Sequence, residues 1–123
     1  MKLRVRAASL GELAAEAGRA LCELHLGARA PAAAGEWREL EVRAADREAL
    51  LVDWLNELIY LAEAEHWVAV EFRVRDATDT VLAIEARGIV VDEAPARVKA
   101  ATFHGLHIAP SPAGFEVEIV FDV

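Results

Sequence analysis

Residues able to do chemistry are concentrated in the last quarter of the chain, between Lys99 and Asp122. The sequence takes its positive charge almost wholly from arginine: only Lys2 and Lys99 are lysines, there is no glutamine, and Asn56 is the only asparagine. Lys99 and Asn56 therefore run against the composition. Lys99 falls at the start of a predicted strand, in Arg97-Val98-Lys99-Ala100-Ala101-Thr102-Phe103-His104, where a lysine is either an inert surface charge or a point cation aimed at an anionic partner. Asp122 is penultimate, and its carboxylate adjoins the terminal carboxylate of Val123. Two adjacent anionic groups at the end of an edge strand could ligate a hard divalent cation such as Ca²⁺ or Mg²⁺; the same pair could equally be a solvated tail.

A second constellation is the stripe Asp53, Asn56, Glu57 at i, i+3, i+4. On a helix these three share one face, which could support a cation or simply be the solvated side of an amphipathic helix. Asn56, whose amide both donates and accepts, could instead tie that helix to a neighbouring loop. His104 and His107 lie three apart in a strand-like region and would point to opposite sides without a bend at Gly105, which argues against a shared metal. His25 and His66 fall near helix ends, where an imidazolium complements the dipole. Cys22, the only cysteine, excludes an internal disulfide and a CxxC site and reads as a small filler of space. Ser9 and Ser111 are the only serines, one at a helix cap and one in a turn, so a serine nucleophile has no place. No GxSxG, HExxH, P-loop or GxGxxG motif occurs. A stand-alone metal hydrolase would need several convergent carboxylates or histidines, which the pattern does not supply.

The secondary structure that carries these residues can be read from periodicity. Residues 2–6 alternate as a strand with Leu3 and Val5 inward. Ser9-Leu10-Gly11-Glu12 is a capping-box signature opening a helix that carries Leu10, Leu13, Ala14, Ala17, Leu21 and Leu24 on one stripe and ends at Gly27 and Pro31. An Ala-rich loop to Gly35 precedes a strand from Trp37 to Arg43, with Leu40 and Val42 on one face. Asp46 caps a second helix, 47–65, whose apolar positions cover more than half its circumference, as expected of a helix buried on several sides. From Trp67 the period becomes two: Val68, Val70, Phe72 and Val74 share a face, Asp76 to Asp79 turns, and Val81 to Ile89 returns as a hairpin. After a loop containing Pro95, Val98–Phe103 and Leu106–Ile108 read as strands with a bend at Gly105. Pro110 to Gly114 turns the chain, and Phe115–Phe121 closes it. Strand-helix-strand-helix followed by a run of strands predicts an α+β fold, two helices on one face of a largely antiparallel (mixed) sheet.

Length and charge bound the function. The 123 residues make one domain, and hydrophobic residues at 55% can bury a sizeable core. Thirteen basic against 21 acidic residues give a net charge of −8, which disfavours non-specific nucleic-acid binding and anionic membranes. No apolar run approaches the roughly 20 residues of a membrane span, and the alternating N-terminus is no signal peptide, so a cytoplasmic protein is expected.

Two segments carry a resemblance. Leu50-Leu51-Val52-Asp53-Trp54-Leu55-Asn56-Glu57-Leu58-Ile59-Tyr60-Leu61 is similar to the second-helix signature of the archease family. Val98-Lys99-Ala100-Ala101-Thr102-Phe103-His104-Gly105-Leu106, with Gly114 and the closing Val120-Phe121-Asp122-Val123, resembles its C-terminal signature. The Ser9-Leu10-Gly11-Glu12-Leu13 opening of the first helix also fits, so the likeness runs along nearly the whole chain. The resemblance implies a non-enzymatic accessory factor for the GTP- and metal-dependent ligase that joins RNA ends in tRNA splicing and RNA repair, promoting its guanylylation and repeated turnover. It implies that Lys99 matches the family's functional lysine and Asp122 its C-terminal aspartate in a divalent-cation site. The residue types themselves add the terminal carboxylate of Val123 to that site and offer His104, Asp53, Asn56 and Glu57 as candidate supporting residues. The family's usual His-Thr-Ala-Asp opening segment has no counterpart before Met1-Lys2-Leu3. The expectation is thus a domain over 1–123 without that segment and a cation site short of one aspartate. The competing expectation is a chaperone-like interaction module for another RNA-modifying enzyme, with no metal dependence.

Overall fold

A computed structural model describes residues 1–27, 35–93, 98–102 and 105–122. The strands are β1 (Lys2–Ala7), β2 (Arg38–Arg43), β3 (Trp67–Ala77), β4 (Val81–Val90), β5 (Ala100–Thr102), β6 (Ala109–Ser111) and β7 (Gly114–Asp122); the helices are α1 (Leu10–Leu26) and α2 (Arg47–Glu65). The α+β class is as the periodicity predicted.

The run of strands is divided between two sheets. One has the order β1-β7-β5, with β6 also on β7; the other has the order β2-β4-β3. Every pairing among the described residues is antiparallel. The division comes from β1 pairing with the far end of the chain, Leu3 opposite Ile119 and Val5 opposite Val117, while the hairpin of β3 and β4 takes β2 on its other side. Each sheet turns one face to the helices. Val117, Ile119 and Phe121 of β7 and Leu82, Ile84 and Ala86 of β4 are buried. Glu116 and Glu118 on β7 and Glu85 on β4 pair outward with arginines.

Both helices start where caps were expected. Ser9 Oγ accepts from the Glu12 N–H at 3.2 Å, and Asp46 Oδ1 accepts from the Ala49 N–H at 2.8 Å; each satisfies a first-turn donor that the helix cannot. The broad apolar face of α2 is buried, with Trp54 and Leu55 fully enclosed. Trp54 donates its indole N–H to the Ala14 carbonyl of α1 at 2.9 Å and meets Phe72 of β3 edge-on, with centroids 5.9 Å apart. That one side chain joins the two helices to the second sheet.

Two expectations are corrected. Val68, Val70, Phe72 and Val74 do not alternate evenly, because register shifts between Ala69 and Glu71 and between Val74 and Asp76 leave two β3 residues unmatched on β4. Each bulge moves the alternation by one, so Ala69 stands opposite Gly88 and Phe72 opposite Ala86. The second concerns Leu106–Ile108, which forms no strand. Gly105 bends the chain at φ 68°, and the first turn of α2 holds the residues beyond it: Arg47 donates to the Ile108 carbonyl at 3.1 Å, and the Glu48 carboxylate accepts from the Ile108 N–H at 3.4 Å. Strand pairing resumes at Ala109. Pro31, Pro95, Phe103, His104 and Val123 lie outside the described residues.

Candidate functional site

Lys99 and Asp122 are brought together at the open end of the first sheet. Ala100 is the register partner of Asp122 on β7, and the Lys99 N–H also donates to the Asp122 carbonyl, at 2.8 Å. Two residues on this side thus face one on β7, the arrangement of a β-bulge. The sequence carries the trace of it: Val98 and Ala101, three apart, are both buried, at 4% and 5% exposure, and Lys99 between them is exposed. Strict alternation from Ala101 would have turned position 99 inward. The extra residue turns Lys99 outward, toward the side on which Asp122 is exposed.

The same strand is gripped from α2. Asn56 Oδ1 accepts from the Ala101 N–H at 2.8 Å, and its Nδ2 donates to the Ala101 carbonyl at 3.3 Å. The helix stripe therefore splits by function. Asn56 is half-buried and ties the helix to β5, whereas Asp53 is exposed and Glu57 is half-buried; neither makes a side-chain hydrogen bond or ion pair among the described residues.

Lys99 is distinguished by what it lacks. Every other Lys and Arg among the described residues makes an ion pair with another of them; Lys99 makes none with any described residue. In a chain of net charge −8, the one described Lys or Arg side chain with no ion pair among the described residues stands at the sheet end, beside Asp122.

The described residues do not by themselves fit a divalent cation. No three His, Cys, Asp or Glu side chains among them converge, and Asp122 is one carboxylate where Ca²⁺ or Mg²⁺ takes six or more oxygens. Val123 and His104, the other groups expected there, are outside the described residues.

The remaining candidates have local roles. Cys22 is buried at 6% exposure; burial, and then the neighbouring Glu23 carboxylate, push its thiol pKa up, which suits a filler and not a nucleophile. His25 sits in the last turn of α1, where burial pushes its pKa down by disfavouring the charged ring. His66 ends α2 in the left-handed region at φ 55°, and its ring Nδ1 lies 3.2 Å from the Asp92 carbonyl. His107 is exposed. Sequence reasoning missed Arg47 and Glu48, which fix the path from Gly105 to β6; a charged first helical turn gives no sign of the distant carbonyl and amide it meets.

The model of the Archease protein family (MTH1598/TM1083) matches residues 1–123. The chain belongs to the archease family. The archease of Methanosarcina barkeri is 33% identical over 94 residues, a stretch covering 70% of this chain and 64% of that protein. The archease of Methanothermobacter thermautotrophicus is 32% identical over 96 residues, covering 73% and 69%. The chain thus spans somewhat less than two-thirds of the Methanosarcina relative. The solution structure of protein 1598 from Methanobacterium thermoautotrophicum superposes with a TM-score of 0.73 at 26% identity, covering 99% of this chain and 89% of that one. The crystal structure of a Thermotoga maritima archease, described as a possible chaperone, gives 0.66 at 18% identity, over 100% and 90%; that likeness concerns the archease fold alone.

Proposed function

We propose that this archease is an accessory protein of a GTP- and metal-dependent RNA ligase, promoting its guanylylation and repeated turnover, and that Lys99 is the group it brings to that partner. The observation that supports this best is the exposed Lys99 beside Asp122, without an ion pair among the described residues. An ammonium with no ion-pair partner among the described residues is available to a phosphate or nucleotide group, and an acidic chain suits a partner whose own surface is basic. Lys99 contributes a positive charge to an anionic group held by the ligase, and Asp122 flanks it. Nothing in this scheme makes or breaks a bond on the archease, in keeping with the lack of a nucleophile motif in its sequence.

The test is multiple-turnover ligation by the RNA ligase with and without this protein, beside Lys99→Ala and Asp122→Ala. Both variants are exposed substitutions and stay folded. The wild type raises turnover and both variants lose the effect. Unchanged ligation on adding the wild type removes the proposal. A competing reading, an interaction module without metal dependence, draws on the absence of three converging metal-ligating side chains among the described residues. Calorimetry with Ca²⁺ and Mg²⁺ separates the two: saturable heat abolished by Asp122→Ala assigns Asp122 to a cation site, and no heat favours the module.

A further inference from the structure

We infer that Asn56 is a positioning residue for Lys99: its carboxamide takes the place of a neighbouring strand on the outer side of β5 and fixes the backbone from which Lys99 projects. This rests on the role assigned to Lys99 above.

Strand β5 is short. It has three residues and, among the described residues, pairs only with β7, along one side. In an antiparallel ladder, successive residues send their backbone groups alternately to one side and the other. Phe121 is turned toward β1, where its N–H donates to the Met1 carbonyl at 2.8 Å and its carbonyl accepts from the Met1 ammonium at 3.2 Å. Its register partner Ala101 therefore points both its N–H and its C=O away from β7. Ala101 is only 5% exposed, so water cannot serve those groups, and unpaired they would oppose burial of the strand.

Asn56 serves both. A carboxamide presents one acceptor and one donor side by side, as a peptide group does, and only Asn and Gln side chains offer that pair. The chain has no glutamine and one asparagine, and it stands here. Asn56 is itself held firmly, because Leu55 next to it is fully buried and Ile59, one turn on, is 4% exposed. The rigidity of the helical core thus passes through two hydrogen bonds to Ala101. Two residues upstream, the Lys99 N–H is fixed to the Asp122 carbonyl. With the strand pinned at 101 from α2 and at 99 from β7, Lys99 leaves the sheet from a set point beside Asp122. The clamp also closes β5 to an added strand at Ala101, so a partner meets this end of the sheet through side chains.

The test uses Asn56→Leu, which keeps the volume and removes both bonds, and Asn56→Asp, which keeps the acceptor for the Ala101 N–H and sets a carboxylate oxygen against the Ala101 carbonyl; the milder variant serves if leucine unfolds the chain. In the isolated protein, Asn56→Leu speeds amide exchange at Ala101 by about tenfold, the loss of roughly one hydrogen bond, and shifts the backbone resonances of Lys99 and Asp122. Asn56→Asp shifts the same resonances with a smaller gain in exchange. In ligation assays Asn56→Leu lowers stimulation to the level of Lys99→Ala, and the double variant is no worse than Lys99→Ala alone, as for groups acting as a unit. Unchanged exchange at Ala101 in both variants overturns the inference. So does wild-type stimulation by Asn56→Leu where Lys99→Ala has lost it. If instead Ala101 exchange quickens while Lys99→Ala leaves stimulation intact, the clamp stands and the ligase reading falls.

Discussion

Gly18 offers a sharp test of how α1 seats on the second sheet. It lies mid-helix, where replacing glycine by alanine ordinarily gains about 1 kcal/mol from helix propensity. A Cβ at position 18 would come within 2.8 Å of Phe72 Cζ and 3.0 Å of its Cε1. The end of a ring can sometimes swing aside, but Phe72 is 7% exposed and is held edge-on by Trp54. Overpacking of this kind costs about 1–3 kcal/mol. The cost exceeds the gain, so Gly18→Ala destabilises by about 1 kcal/mol, or about 4 °C in melting temperature for a chain this size. In a Phe72→Leu background the ring is gone and the same substitution becomes stabilising. Chemical denaturation of the four proteins of this cycle measures the sign in each background. A stabilising Gly18→Ala in the wild type, or the same sign in both backgrounds, refutes the close approach of α1 to β3.

Three further perturbations have definite expected outcomes. Arg47→Ala removes the charged donor to the Ile108 carbonyl, at a residue 2% exposed, and should cost about 2 kcal/mol; an unchanged urea midpoint would show that Arg47 does not hold this segment. His66→Gly relieves a left-handed backbone that costs a side chain about 1–2 kcal/mol and forfeits the contact to Asp92, so stability should change by under about 1 kcal/mol, and a larger loss in thermal melts counts against it. Burial lowers the His25 pKa in the folded chain, so the unfolded chain binds more protons in the window between that lowered value and the ordinary one near 6.5. Stability should therefore rise with pH through that window and be fully present above it. His25→Gln should flatten this segment of the profile, and an identical slope in the variant would assign it elsewhere.

Much of the fold could be read from periodicity because burial is regular there. The buried positions of α2 are the apolar ones its pattern marks, from Leu50 to Ala62, and Ser9 and Asp46 cap where a side-chain acceptor precedes an amphipathic run. Where backbone geometry decided, the pattern misled. The two bulges in β3 insert residues whose side chains look like any others, so Val70 and Arg75 give no warning. The division into two sheets depends on β1 finding β7, a pairing across nearly the whole chain that local pattern does not encode. At the site, Lys99, Asn56 and Asp122 stand out by type, yet what joins them is invisible in composition. The extra residue at 99 shows only as Val98 and Ala101 three apart, and the grip of Asn56 on Ala101 runs backbone to side chain over 45 positions.

If the Lys99 ammonium at the sheet end acts on the partner's anionic group, ligation at a saturating concentration of Lys99→Ala will reveal it. This variant should bind the ligase as the wild type does but leave turnover at the level of ligase alone, with Lys99→Arg recovering part of the effect because the charge is kept. Full stimulation by Lys99→Ala would refute the role given to that ammonium.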